Sequence, residues 1–292
     1  RILRMARPHE TVGCGLVWSV HTGGACCGEN LEKESGDKEV YQGVSQDDGT
    51  SDDSMQKEDP VKEEDAALII SRAKEGDAAA QYLAGDAYQN GRGVSCNPAA
   101  ARYWWRESAR QGNRDAMWKF GCAVLTDAGG PFYIAGRTAG REKNGDSPAE
   151  ESAFWICRAA QKEQIEAQIY LAYNSEMYKE RFSWSRKILA RTDLDPERRY
   201  LTGYSTAGGI VEEYQTGRCV VSQLQNFIGE CFFFGLGTYR DYVQAFQYFE
   251  AAAAKMSDSC DFGAQQACRN LGMCYQWGKG TAPDLLHARS MY

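Results

Sequence analysis

The residues able to do chemistry are few, and their spacing does not favour it. The 292-residue chain has three histidines, His9, His21 and His287. None has an obvious acidic or cysteine partner close by in sequence, so no histidine-based metal or catalytic site is expected. Eleven cysteines are many, but the number is odd and no C-x-x-C occurs, which argues against a full disulfide framework and against a zinc ribbon. Cys122, Cys157, Cys231 and Cys274 fall within helical patterns and read as small core residues of a reducing, cytoplasmic compartment. Gly91-x-Gly93 and Gly278-x-Gly280 could cradle a phosphate only behind a strand, with a third glycine and a Lys-Ser/Thr pair. These are missing, and the glycines read as turns. Tyr204-Ser205-Thr206-Ala207-Gly208-Gly209 lacks the glycine that a nucleophile elbow places before its serine. Neither a metal nor a cofactor is expected, and the chain reads as a non-enzyme.

The elements that would position any site are helices. Ala80, Ala84, Ala87 and Tyr88 recur at helical spacing and line one face. Gly91 and Gly93 can take positive φ, so 90–94 ends that helix and turns the chain. Asn97 and Pro98 then serve as N-cap and first residue of a second helix, which sets Ala101, Trp104, Trp105, Ser108 and Ala109 on one stripe. At that spacing the tryptophans are core rather than a ligand platform. So short a helix pair cannot bury its own stripe and must stack on copies of itself.

The copies are present. Asp65 can cap a leading half-repeat that carries Ala66, Ile69, Ile70 and Ala73. Ala116, Phe120, Gly121, Ala123 and Val124 follow Ala80 through Tyr88 by 36 residues. Its loop is widened by the run 127–148 before Ala153, Ile156, Cys157 and Ala160 resume the stripe. A degenerate copy opens at Glu166–Leu171, and Arg199–Gly203 echoes Gln81–Gly85. The pattern returns at Leu224, Ile228, Gly229, Cys231 and Phe232, with Ala245, Tyr248, Phe249, Ala252 and Ala253. A final copy holds Ala267, Leu271, Gly272, Tyr275, Gly278, Gly280, Asp284 and Ala288. The expected fold is all-α, an α/α superhelical repeat solenoid over 63–292 with a departing middle at about 127–222.

Charge sets the remaining segment apart. Glu29 to Asp65 carries 14 acidic and 4 basic residues, a net of −10 against −7 for the whole chain, so the rest carries +3. Residues 1–62 show no sustained period and are expected to be a disordered, acidic, low-complexity tail. The N-terminal arginines and weakly apolar 12–20 make a poor signal peptide, which leaves secretion as the lesser alternative. No run approaches the length of a membrane span, and nucleic acid is not an expected partner.

The residues A-Q-Y-L-A-G-D-A-Y-Q-N-G-R-G-V, followed by A-x-x-W-W-x-x-S-A-x-Q-G, resemble the Sel-one-like repeats, relatives of the tetratricopeptide repeats. G-L-G-T-Y-R-D and G-K-G-T-A-P-D resemble that family's loop, and the resemblance covers roughly 64–292. It implies an adaptor or scaffold of multiprotein assemblies and no shared catalytic residues. A cysteine-rich branch of these repeats is associated with β-lactam binding and hydrolysis, and the pair Cys260 and Cys268 is similar to its cysteine spacing. Cys260 ends one helix-to-helix connection and Cys268 sits early in the following helix, so the two are expected near each other and could be bridged.

A solenoid presents variable positions beside an unvarying core. Leu83, Lys119, Phe227 and Asn270 share one repeat position, and Asp86, Cys122, Glu230 and Met273 share another. These positions are the candidate contacts for a protein or peptide partner. Phe233 and Phe234 replace polar residues of other copies, and they form either an exposed anchor or a pair covered by the extra turn Met256–Gly263. The final copy stops at Tyr292 inside its second helix, and the chain opens without Met. The expectation is a piece of a longer array or a chain that associates end to end.

Overall fold

The computed structural model describes residues 63–127, 147–205, 211–254 and 261–292. The chain divides into two units, 1–56 and 57–292, and all described residues lie in the second. The expected tail, most of the widened loop and most of the extra turn lie outside the described residues.

Eleven helices and one hairpin make up the described part of this unit. A leading helix, α1 (Glu63–Lys74), is followed by the pairs α2 (Ala78–Asn90) with α3 (Pro98–Arg110) and α4 (Arg114–Asp127) with α5 (Pro148–Gln161). Then come α6 (Ile165–Asn174) with α7 (Tyr178–Leu189), the strands β1 (Arg199–Ser205) and β2 (Val211–Thr216), α8 (Gly217–Phe234) with α9 (Tyr242–Ala253), and α10 (Phe262–Trp277) with α11 (Leu285–Met291). Helices adjacent in sequence pack on one another from α1 through α11, and α8 also packs on α10. The result is the α/α repeat solenoid that the periodicity implies.

Local chemistry explains each pair. Asp77, Asn97, Asp241 and Asp284 accept backbone N–H groups of the helices they open. Gly91, Gly235 and Gly278 close the first helices with φ of 67°, 76° and 63°, where a side chain would be strained. Each loop then returns to its own helix: Asn97 N donates to Tyr88 O, Asp241 N to Phe232 O and Asp284 N to Tyr275 O, at 2.8–2.9 Å. Asp65 is not a cap, because α1 already begins at Glu63.

The two helices of a pair meet where one has no Cβ. A methyl placed on Gly229 would lie 2.5 Å from the Phe249 ring, and one on Gly121 2.8 Å from Ile156. Gly85 faces Trp105 in the same way, and Gly272 faces Tyr292. Between pairs, the second glycine of the later loops rests on main chain: a methyl on Gly237 would lie 2.6 Å from Lys179 N, and one on Gly280 would strike Tyr242 O. Buried glutamines add polar ties, with Gln81 Nε2 donating to Ala73 O and Gln168 Nε2 to Ala160 O.

The hairpin departs from the helical expectation. Arg199–Gly203 is strand and not a further first helix; it pairs antiparallel with β2, Tyr200 opposite Gln215 and Leu201 opposite Tyr214. Leu201 joins the core of the first pairs, whereas Tyr200 joins Ile169, Ile188 and Val220. The strand is thus held between two clusters.

Candidate functional site

The hairpin and the first-helix face of α2 and α4 enclose a groove of about 790 Å³. One side is aromatic, with Tyr82, Trp105 and Trp118, and the hairpin contributes Arg199 and Tyr214 to the other. Trp105 is held by its indole Nε1, which donates to Asp86 Oδ1 at 3.2 Å. Trp118 lies 5.8 Å from the ring of Tyr170. Burial, and then the carboxylate of Asp86, push the Tyr82 phenol well above its ordinary value, so it is a neutral hydrogen-bonding group. On the hairpin the Arg199 guanidinium sits 5.6 Å over the Tyr214 ring, and the Tyr214 hydroxyl donates to Glu212 Oε2 at 2.5 Å.

Charges line the groove in both signs, and the acids are tied up. Glu163 meets Lys187 at 2.7 Å and Arg191 at 3.3 Å, and its carboxyl is held low by hydrogen bonds from Lys187 and Gln168. The carboxyl of Asp193 is held low by Arg191, which reaches it at 2.5 Å, and Glu166 pairs with Arg198.

The repeat positions read from the sequence divide into two groups. Leu83 is 47% exposed and Lys119 is exposed, both on the open side of the first pairs. Phe227 and Asn270 are buried and therefore are not presented to a partner. The ring of Phe227 is covered by α7: Tyr178 stacks on it at 6.4 Å and the Arg181 guanidinium lies 4.4 Å from its centroid. Asn270 donates through Nδ2 to Asn226 Oδ1 at 2.9 Å, and Asn226 Nδ2 donates to Glu230 Oε1 at 3.0 Å. Burial raises the Glu230 carboxyl above the ordinary glutamate value. Phe233 is only 8% exposed, packed against Tyr242 and Phe249 of α9, so it belongs to the core. Phe234 remains exposed.

Reactive groups are occupied by the fold. The N–H groups within the loops donate inward, Arg92 to Ala87 O, Leu236 to Cys231 O and Lys279 to Cys274 O, which leaves those donors none for a phosphate. Burial pushes the Cys231 thiol up to about 12 and the Cys274 thiol up to about 11, far from a reactive thiolate. His287 does have an acidic neighbour: Asp284 Oδ2 lies 2.7 Å from its Nδ1, and the same carboxylate caps α11. Cys268 is half-buried, and Cys260 lies outside the described residues. No group of His, Cys, Asp and Glu among the described residues could hold a metal, and no described helix is long and apolar enough to cross a membrane. Arg191, Arg199 and Tyr214 escaped sequence reasoning because they stand on the excursion 190–216, where no helical period marks a face.

Stacked antiparallel pairs with glycine-closed loops, capped by Asp or Asn and free of a reactive cluster among the described residues, define an α/α repeat scaffold. The Sel1 repeat model matches residues 78–113, 222–255 and 265–292. The chain thus carries three Sel1 repeats. Proteins with such repeats are generally non-catalytic scaffolds for protein–protein interaction. Among solved structures the chain is similar to a Sel1 repeat protein from Oxalobacter formigenes, with 21% identity and a TM-score of 0.49 over 79% of this chain and 77% of that one. It is also similar to c5321, a protective antigen of uropathogenic Escherichia coli strains displaying an SLR fold, with 18% identity and a TM-score of 0.38. That match covers 79% of this chain and 48% of c5321. No curated protein matches the sequence.

Proposed function

We propose that the chain is a non-enzymatic adaptor that holds a peptide or protein segment in the groove between the α2–α4 face and the hairpin. The observation that carries this reading is the groove itself: about 790 Å³, lined by Tyr82 and by the exposed Lys119 and Tyr214, with Trp105 and Trp118 buried in its wall. Aromatic side chains fixed in a concave site are the usual anchors of recognition, because they bury much area at little entropic cost. Affinity capture followed by mass spectrometry tests it, with the intact chain compared against Tyr214→Ala. A partner retained by the intact chain and lost with the variant supports the groove; an unchanged partner set removes it.

A second contact is favoured by the pair α10 and α11, where Trp277, Leu285 and Leu286 are all exposed. Apolar surface of this kind favours association of two copies through their last helix pairs. Light scattering at rising concentration distinguishes the two readings, since self-association predicts a mass that doubles and that Leu286→Glu returns to the monomer.

A further inference from the structure

We infer that the groove selects an acidic segment of its partner, and that Lys119 and Arg199 set this preference. The inference rests on the groove reading above and adds the chemistry of its occupant. Equal numbers of acids and bases would suggest no preference, but their partners differ. Glu163 and Asp193 share Arg191, Glu166 meets Arg198, Glu212 accepts the Tyr214 hydroxyl, and Asp86 accepts the Trp105 indole. Asp195 is also engaged, accepting the backbone N–H groups of Glu197 and Arg198.

Two cations have no such partner. Lys119 is exposed at the middle of α4 and meets no carboxylate among the described residues. Arg199 has the Tyr214 ring as its contact and no acidic partner among the described residues. A guanidinium laid on an aromatic face keeps its N–H edge available and its plane fixed, a geometry suited to a carboxylate. Arg114 is engaged, its Nε 3.9 Å from Asp115 and its Nη1 donating to Glu163 O. The carboxylates keep their charge, but their oxygens already accept donors of the protein, so the groups left to pair with an incoming segment are the unpaired cations.

The test uses the full chain and a phage-displayed library of random peptides about twelve residues long, long enough to span the groove. Enriched sequences are synthesised with a fluorophore and titrated by polarisation. The expected result is enrichment of net-negative peptides. Lys119→Glu and Arg199→Glu should each weaken their binding about five- to tenfold, and the double variant further. Arg289→Glu, on α11 away from the groove, should leave it unchanged. Raising the salt from about 50 to 300 mM should weaken it by a similar factor. A library that enriches no acidic sequence, or acidic peptides indifferent to both reversals, overturns the inference. Tyr214→Ala separates the two levels of the argument: if it abolishes binding of whatever peptides are enriched, the groove stands and only its charge preference falls, whereas indifference to Tyr214→Ala removes the groove as well.

Discussion

The first and last helix pairs obey one plan and present opposite surfaces. Leu83 and Lys119 are open to solvent, while Phe227 and Asn270, at the same repeat position, are buried. The neighbouring position diverges too. Asp86 is tied to Trp105; in the later pair that partner is Phe249, which has no N–H, and Glu230 accepts from Asn226 and Asn270 instead. With Glu for Asp in the first helix and Phe for Trp in the second, the carboxylate turns from its own second helix to Asn226 of α8 and Asn270 of the next pair. In this molecule repeat position alone does not predict exposure; what lies over the position decides it. Over α4 lies a groove, and over α8 lies the start of α7.

Substitutions can break or sharpen this contrast. The largest effect is expected where both halves are alike, at the aromatic that fills the joint: Phe249→Ala should lower stability by about 4 kcal/mol, read from the urea midpoint. Next, Gly85→Ala and Gly229→Ala should each cost about 2 kcal/mol, because each new methyl meets a buried ring with nowhere to go. A large inequality between the two would show that the joints are not equivalent. The contrast itself is read by Asn270→Ala, which removes a donor from a buried network and should cost about 1–3 kcal/mol. Lys119→Ala, its counterpart on the open side, should stay within about 0.5 kcal/mol in the same assay.

The smallest effect concerns pH. Burial raises the Glu230 carboxyl, so the folded chain binds that proton more tightly than the unfolded chain does. Its contribution therefore favours folding below the ordinary glutamate range and is withdrawn as pH rises through the raised value. Glu230→Gln should flatten the rise in melting temperature as the pH is lowered through that raised value. An unchanged pH profile would mean that Glu230 does not titrate in this window.

Most of the helical plan was legible because its signals are local. Caps at Asn97, Asp241 and Asp284, glycine stops at Gly91, Gly235 and Gly278, and the stripe from Ala101 to Ala109 all lie within a few residues of the structure they cause. Exposure was less legible, since the cover over Phe227 comes from Tyr178 and Arg181, some fifty residues earlier in the chain. The hairpin was misread for a related reason. Tyr200, Leu201 and Thr202 are buried in succession, so the strand shows no alternation, and a short buried run with a glycine looks the same in a helix or a strand. The groove inherits that gap, because one of its walls is the hairpin.

The glycines at the later loops have a mechanical consequence. Where Gly237 lies on the start of α7 and Gly280 on the start of α9, one helix pair bears on the next through peptide planes, with no side chain between them. A side chain in a joint yields by changing rotamer, as a cushion does; two peptide planes in contact act as a pin. Load applied along this end of the array passes from pair to pair with little give. Compliance is left to the joints that side chains fill, such as the one between α3 and α4 on which the groove depends.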